Sequence, residues 1–396
     1  MTDQSIAMVR PRFRVSAPVV ALFLVALFVL SACGGRPSVG ALEVSIAPAE
    51  GTKDHDILIV TTREKDNQPD TYFSGERGSE VSFAEAVISV PPTHKPGAIE
   101  WPSSLPGDPE TEFVTRSASY ISDEAAFTRD INQRLAKLPK GEREIFLFIH
   151  GYNTRFPEAL FRFTQIVNDA DLDAVPVLFT WASRGKVQDY IYDLNSAAIA
   201  RQALQKTMLQ LSRTNADKIN ILAHSMGNWL LMEAAIQTPP EKRKLLAGKL
   251  QDVVLAAPDI DIDLFKAQLK KLGPRPRPYM VIVSRDDRAL RLSRAIAGGK
   301  ERVGAYSNDQ ELAELGAVVV DVTDLQSLDS SHHSKFAQLA EFSPQFRETL
   351  GQSGLTSVSD MGGRAKTSEG LGDFIGNTVT LPIRIIAAPV TLAGGG

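Results

Sequence analysis

Cysteine is nearly absent: Cys33 is the only one in 396 residues, so no disulfide can close within the chain. An excess of one charge is lacking too. The net charge of -4 at pH 7 offers no basic surface, which excludes nucleic acid as a partner. Histidine is scarce, with six in all, and no zinc-ligand spacing such as H-E-x-x-H occurs, so neither a metal nor any other cofactor is implied. No internal repeat is evident. What remains has the composition of an ordinary globular protein, 43% hydrophobic, long enough for one large α/β core with extensions or for two modest domains.

The N-terminus reads as an address. Arg10, Arg12 and Arg14 precede an apolar run, Ala17 to Leu30, too short for a comfortable membrane span, and the run ends at Leu30-Ser31-Ala32-Cys33. This resembles a bacterial secretory signal closing on a lipobox. The resemblance implies cleavage before Cys33 and lipid, palmitate included, on that residue, hence export and membrane attachment through an N-terminal lipid anchor. Gly34, where aspartate would signal inner-membrane retention, implies the outer membrane facing the periplasm. The expected organisation is a signal peptide over 1–32, a tether over 33–54, one domain over 55–345 and a flexible tail over 346–396. The tether is rich in Gly, Pro, Ser and Ala. Within the tail, Val379 to Leu392 is apolar, and docking on the domain or on membrane both stay open.

Past Asp56 the pattern becomes regular. Ile57–Thr62 and Ala86–Val90 read as strands added antiparallel to one sheet edge, with a polar stretch carrying Gly75 and Gly78 between them. Glu124 to Leu138 has helical spacing. Apolar strands are then expected at Ile145–Ile149, Val175–Trp181, Ile219–Ala223, Val253–Ala257, Tyr279–Val283 and Ala317–Val322, with helix-like segments between them. Such alternation predicts an α/β fold with a mostly parallel central sheet and helices on both faces. A ligand site then belongs beyond the carboxyl ends of the strands.

That is where the chemistry-bearing residues fall. Lys218 to Leu230, KINILAHSMGNWL, reads as a strand, a tight corner holding Ser225, and a helix. A hydroxyl needs an exposed sharp turn, a base and N–H donors to act as a nucleophile. The corner Ala223-His224-Ser225-Met226-Gly227 approximates G-x-S-x-G, with alanine at the first glycine. His150-Gly151-Tyr152 follows the strand IFLFI, Ser284-Arg285-Asp286-Asp287 follows YMVIV, and Ser330-Ser331-His332-His333-Ser334-Lys335-Phe336 follows GAVVVDV.

Together IFLFIHGYNTRF, PVLFTWASRG, INILAHSMGNWLL, VVLAAPDID, SRDDRAL and HSKF resemble the α/β-hydrolase superfamily, and within it a bacterial esterase/lipase-like family of largely uncharacterised (lipo)proteins. The resemblance spans roughly Asp56 to Phe342. It implies a triad in the chain order Ser, Asp, His. Ser225 would be the nucleophile and His333, preferred over His332, the base. Asp287 would be the acid, with Asp286 its nearest rival and Asp259 a second alternative. Backbone N–H groups of Tyr152 and Met226 would hold the oxyanion. His55, His94 and His224 are assigned structural roles. Tyr152, Phe156, Trp181, Tyr190 and Trp229 are candidate pocket walls. About twenty residues separate the Val253 and Tyr279 strands, which leaves no room for a large lid there and implies an open cleft. The expected activity is hydrolysis of small-molecule or lipid carboxylic esters with short or medium acyl chains. An envelope acyltransferase and a non-catalytic hydrolase-fold lipoprotein stand as alternatives, and oligomeric state stays open.

Overall fold

The computed structural model describes residues 39–342 and 383–387. The described residues belong to one compact unit. The signal region with Cys33, and most of the tail, lie outside the described residues.

The described chain opens with three strands, β1 (Lys53–Lys65), β2 (Phe73–Val90) and β3 (Val114–Ile121), and then a helix, α1 (Glu124–Leu135). Strand and helix alternate from there: β4 (Glu144–Ile149), α2 (Phe156–Asp169), β5 (Val175–Thr180), α3 (Tyr190–Ser212), β6 (Lys218–His224) and α4 (Met226–Gln237). The second half continues with α5 (Pro240–Ala247), β7 (Leu250–Ala256), α6 (Ile262–Leu272), β8 (Tyr279–Val283), α7 (Arg288–Ile296), α8 (Asp309–Glu314), β9 (Ala317–Asp321) and β10 (Arg384–Ile386). All ten strands join one sheet in the order β10-β9-β8-β7-β6-β4-β5-β1-β2-β3.

Seven of them, β1 and β4 to β9, run parallel. Their sequences are near-continuous apolar runs because both faces are covered. Phe127 of α1, Leu204 of α3, Leu230 of α4 and Phe265 of α6 belong to the core on one face. Phe161 and Phe163 of α2, with Phe336, belong to the core on the other.

The N-terminal strands depart from expectation. β1 lies inside the sheet, parallel to β5 on one side and antiparallel to β2 on the other. Its centre, Ile57 to Val60, is fully buried, which suits an interior strand rather than an added edge. The stretch with Gly75 and Gly78 belongs to the long strand β2. These glycines permit close backbone approach: a Cβ would lie 2.8 Å from Arg184 Cα at Gly75 and 2.8 Å from the Arg63 carbonyl at Gly78. The expected tether is partly built in. Leu42 is buried, and Ser45 N–H donates to the Thr115 carbonyl. From the tail, Arg384–Ile386 pairs antiparallel with β9 and covers that edge of the sheet.

Candidate active site

Ser225 follows the last residue of β6 and caps the N-terminus of α4 with φ 54 and ψ -123. This is a left-handed conformation that costs an L-residue on the order of 1–3 kcal/mol and must be held by its surroundings. The holding contacts are specific. Ser225 N–H donates to the Ala256 carbonyl (3.0 Å), and its carbonyl accepts from Asp259 N–H (3.2 Å) and from the Asn228 side chain (3.1 Å). Two glycines make room. A Cβ on Gly151 would sit 2.6 Å from Ser225 Cβ, and one on Gly227 would sit 2.7 Å from the Ile149 carbonyl. Ala223 is fully buried at the position where the motif has glycine.

His333 stands on the loop after β9, its Nδ1 2.6 Å from Asp287 Oδ2. Asp287 follows β8 and is itself the N-cap of α7, its Oδ1 accepting the Leu290 N–H at 2.9 Å. Burial pulls the His333 pKa down, but the adjacent Asp287 carboxylate outweighs it and leaves the group above its ordinary 6.5. His224 links the two loops: it precedes Ser225, its ring centroid lies 4.6 Å from that of His333, and its Nε2 is 3.3 Å from the His333 carbonyl. Burial, reinforced by His333, holds His224 well below 6.5, so this ring stays neutral. It packs against Phe336.

The other two aspartates have different partners. Asp286 lies 2.6 Å from His332 Nδ1 and accepts both from Lys335 Nζ (2.8 Å) and from Ser284 (2.5 Å). Burial would raise its pKa, yet these bonds bring it down to about 2. Asp259 is buried, receives Tyr190 (3.1 Å) and Ser293 (2.5 Å) hydroxyls, and lies 3.2 Å from Arg302 Nε. Burial raises its pKa.

Tyr152 sits after β4 beside Gly151, and Met226 is the first residue of α4, whose N–H has no acceptor within its own helix. The loop holding Tyr152 rests on two charged residues that the motifs do not announce. Buried Arg63 donates to Thr180 Oγ1 (2.8 Å) and to the carbonyls of Ser74 (3.1 Å), Ser183 (2.9 Å) and Thr154 (2.7 Å). Buried Asp193 accepts from Asn153 N–H (3.0 Å), Ser183 (2.6 Å) and Arg184 N–H (3.2 Å). Burial lowers the Arg63 pKa to about 10, which leaves it charged at neutral pH. His150 beneath this loop is held at about 3 by burial and by Arg63, so its Nε2 is free to accept the Trp181 N–H at 3.1 Å. The signal for Arg63 was an arginine ending an apolar strand; Asp193 offered none.

Of the candidate walls, Trp181 is fully buried against His150, and Phe156 is core. Tyr190 is buried with its hydroxyl on Asp259, whereas Tyr152 and Trp229 are only partly buried. His55 pairs with Asn168 (3.1 Å), and His94 bridges Glu100 and Asp169, 2.7 Å from each. No group of three or more His, Cys, Asp or Glu among the described residues is arranged to hold a metal.

A hydroxyl on a strained turn, and an imidazole paired with a carboxylate, are the kinds of group that acyl transfer uses. Among solved structures, the chain is similar to lipase B of Aspergillus fumigatus, with 14% identity, a TM-score of 0.27 and coverage of 42% of this chain and 43% of the lipase. The chain thus spans less than half of that lipase's length. It is also similar to a fungal esterase from Rhizomucor miehei, with 14% identity, a TM-score of 0.31 and coverage of 82% and 93%. A search of curated proteins returned no match. Residues 123–350 match the family described as alpha/beta hydrolase of unknown function (DUF900). That match takes in over half of the chain and every loop that carries the site, and the chain belongs to this family of alpha/beta hydrolases.

Proposed function

We propose that the protein is a serine hydrolase of carboxylic esters, with Ser225, His333 and Asp287 as its triad. The observation that carries this reading is the 2.6 Å His333–Asp287 pair, on the loops after β9 and β8, at the same carboxyl end of the sheet as a serine fixed at φ 54. In the proposed reaction Ser225 Oγ attacks the ester carbonyl while His333 Nε2 takes its proton, and N–H groups of Tyr152 and Met226 hold the oxyanion. His333 then protonates the leaving alcohol, and water, deprotonated by the same ring, releases the acid and restores the serine. Asp287 holds the imidazole in the required tautomer. Asp259 and Asp286 are less favoured as the acid because their oxygens face Tyr190, Ser293 and Arg302, or Lys335 and His332.

The span between β7 and β8 holds only the single helix α6, which supports an open cleft and short or medium acyl chains. The N-terminal LSAC sequence supports an exported chain anchored by lipid on Cys33, outside the described residues.

The test is labelling by a fluorophosphonate probe together with turnover of p-nitrophenyl butyrate. Wild type should react and turn over, and Ser225→Ala should lose the label and on the order of a million-fold in turnover. Equal labelling of the two proteins would refute Ser225 as the nucleophile.

A further inference from the structure

The catalytic residues leave the carboxyl ends of the strands. At the opposite end of the sheet lies a separate cavity of about 530 Å³, bounded by the starts of β7 and β8, the second half of α4 and helix α5. Its size falls in the range of sites for small organic ligands, roughly 300–1,000 Å³. Its interior is apolar, with Leu231, Leu246 and Val253 among its walls. Its charge is one-sided: Arg243, Lys244, Arg275 and Arg277 line it and no aspartate or glutamate does.

The three arginines differ in how they are satisfied. Arg277 pairs with Asp252 at 2.9 Å. Arg275 gives one nitrogen, Nη2, to the Gln251 carbonyl (3.2 Å) and lies over the Tyr279 ring. Its Nη1 has no partner besides the adjacent Tyr279 side chain, and Nη1 of Arg243 has none among the described residues; both are shielded from solvent. Leaving a charged donor buried and unmade is unfavourable, so a ligand that supplies an acceptor there is favoured. An apolar chamber carrying two such donors matches an apolar chain with an anionic head.

We propose that this cavity binds a single acyl chain bearing an anionic head group, carboxylate or phosphate, with the head between Arg243 and Arg275 and the chain against α4 and β7. Occupation would touch the helix whose first turn begins at Met226, although the site shares no residue with the triad. The inference stands independently of the catalytic assignment.

Calorimetry of the full chain in lipid nanodiscs, with empty discs subtracted, tests it using dodecanoate, lysophosphatidate and dodecanol. One anionic chain should bind per protein, and dodecanol at least about tenfold more weakly, the loss expected from forfeiting a charge-assisted hydrogen bond. Arg243→Gln with Arg275→Gln should weaken dodecanoate by a similar factor, and Ala235→Trp, which fills the chamber, should abolish binding with the melting temperature retained. Preference for lysophosphatidate would identify a lipid phosphate as the head, and preference for dodecanoate a free carboxylate; either supports the site. No binding, equal binding of dodecanol, or unchanged binding by the folded variants would overturn it. The head-group comparison uses the wild-type chain and decides the matter even where a variant does not fold.

Discussion

Asp287 does two jobs with two oxygens, one on His333 and one on the first turn of α7. This makes a clean experiment available. Asparagine caps a helix nearly as well as aspartate, so Asp287→Asn should leave thermal stability within about 1 kcal/mol of wild type. Turnover should nevertheless fall on the order of ten-thousand-fold, because the amide no longer fixes the imidazole tautomer. Steady-state kinetics beside a melting curve checks both halves, and an Asp259→Asn enzyme that loses more than Asp287→Asn would move the acid to Asp259. The pH profile has a definite sign. On the proposed mechanism base catalysis needs neutral His333, whose pKa is raised, so kcat/KM for p-nitrophenyl butyrate should rise with pH through an acid limb above 6.5. The limb should move to lower pH in Asp287→Asn. Stability leans the other way: the pairing contribution of His333 is fully present below about 6.5 and is lost as pH rises through its folded value. Three neighbouring carboxylates look alike in one dimension, and it is their partners in space that separate them. The tight turn at Ser225 was legible because it demands small neighbours; the pairing of His333 with Asp287 was legible only as a preference over Asp286 and Asp259, since no local pattern encodes which loop a histidine will meet.

At the scale of elements, the loop after β4 depends on a strand far away in the chain. The pairing register of β1 with β2 shifts on both sides of Arg63, and its guanidinium reaches across to β2, to the end of β5 and to the loop itself. Removing it strands one buried and two part-buried carbonyls at once. Arg63→Met should therefore cost about 3 kcal/mol or more in urea unfolding, and Arg63→Lys, lacking the planar fork, should recover only part. The parallel strands were readable because strands buried on both faces are written in Val, Ile, Leu and Phe. Of the outer strands only the buried end of β2, Ala86–Val90, was readable. Most of β2, and β3 from Arg116 onward, are only partly buried or exposed, so their composition is that of loops, and their place is fixed by backbone pairing.

The whole molecule, on the proposed reading, is a domain held to a membrane by one modified residue. Cys33→Ser should abolish incorporation of labelled palmitate and shift the protein out of the membrane fraction, while specific activity toward a soluble ester stays within about twofold. Retention of the label in this variant would sink the anchor. Among the described residues no helix is long and apolar enough to cross a membrane. The division of the chain was legible only in outline. The proposed N-terminal address is a run of residue types, whereas Ala41 and Leu42 enter the core from a segment with no periodicity.

The last strand of the sheet has a consequence for how the protein is made. Arg384 meets Asp321 across 63 residues of chain, so every other pairing can form before this one exists. Until those residues have been delivered, whether by synthesis or by passage across a membrane, the flank of β9 stands uncovered. A stop codon ahead of Arg384 would make that exposure permanent, turning a passing stage of assembly into a product with an open, adhesive edge.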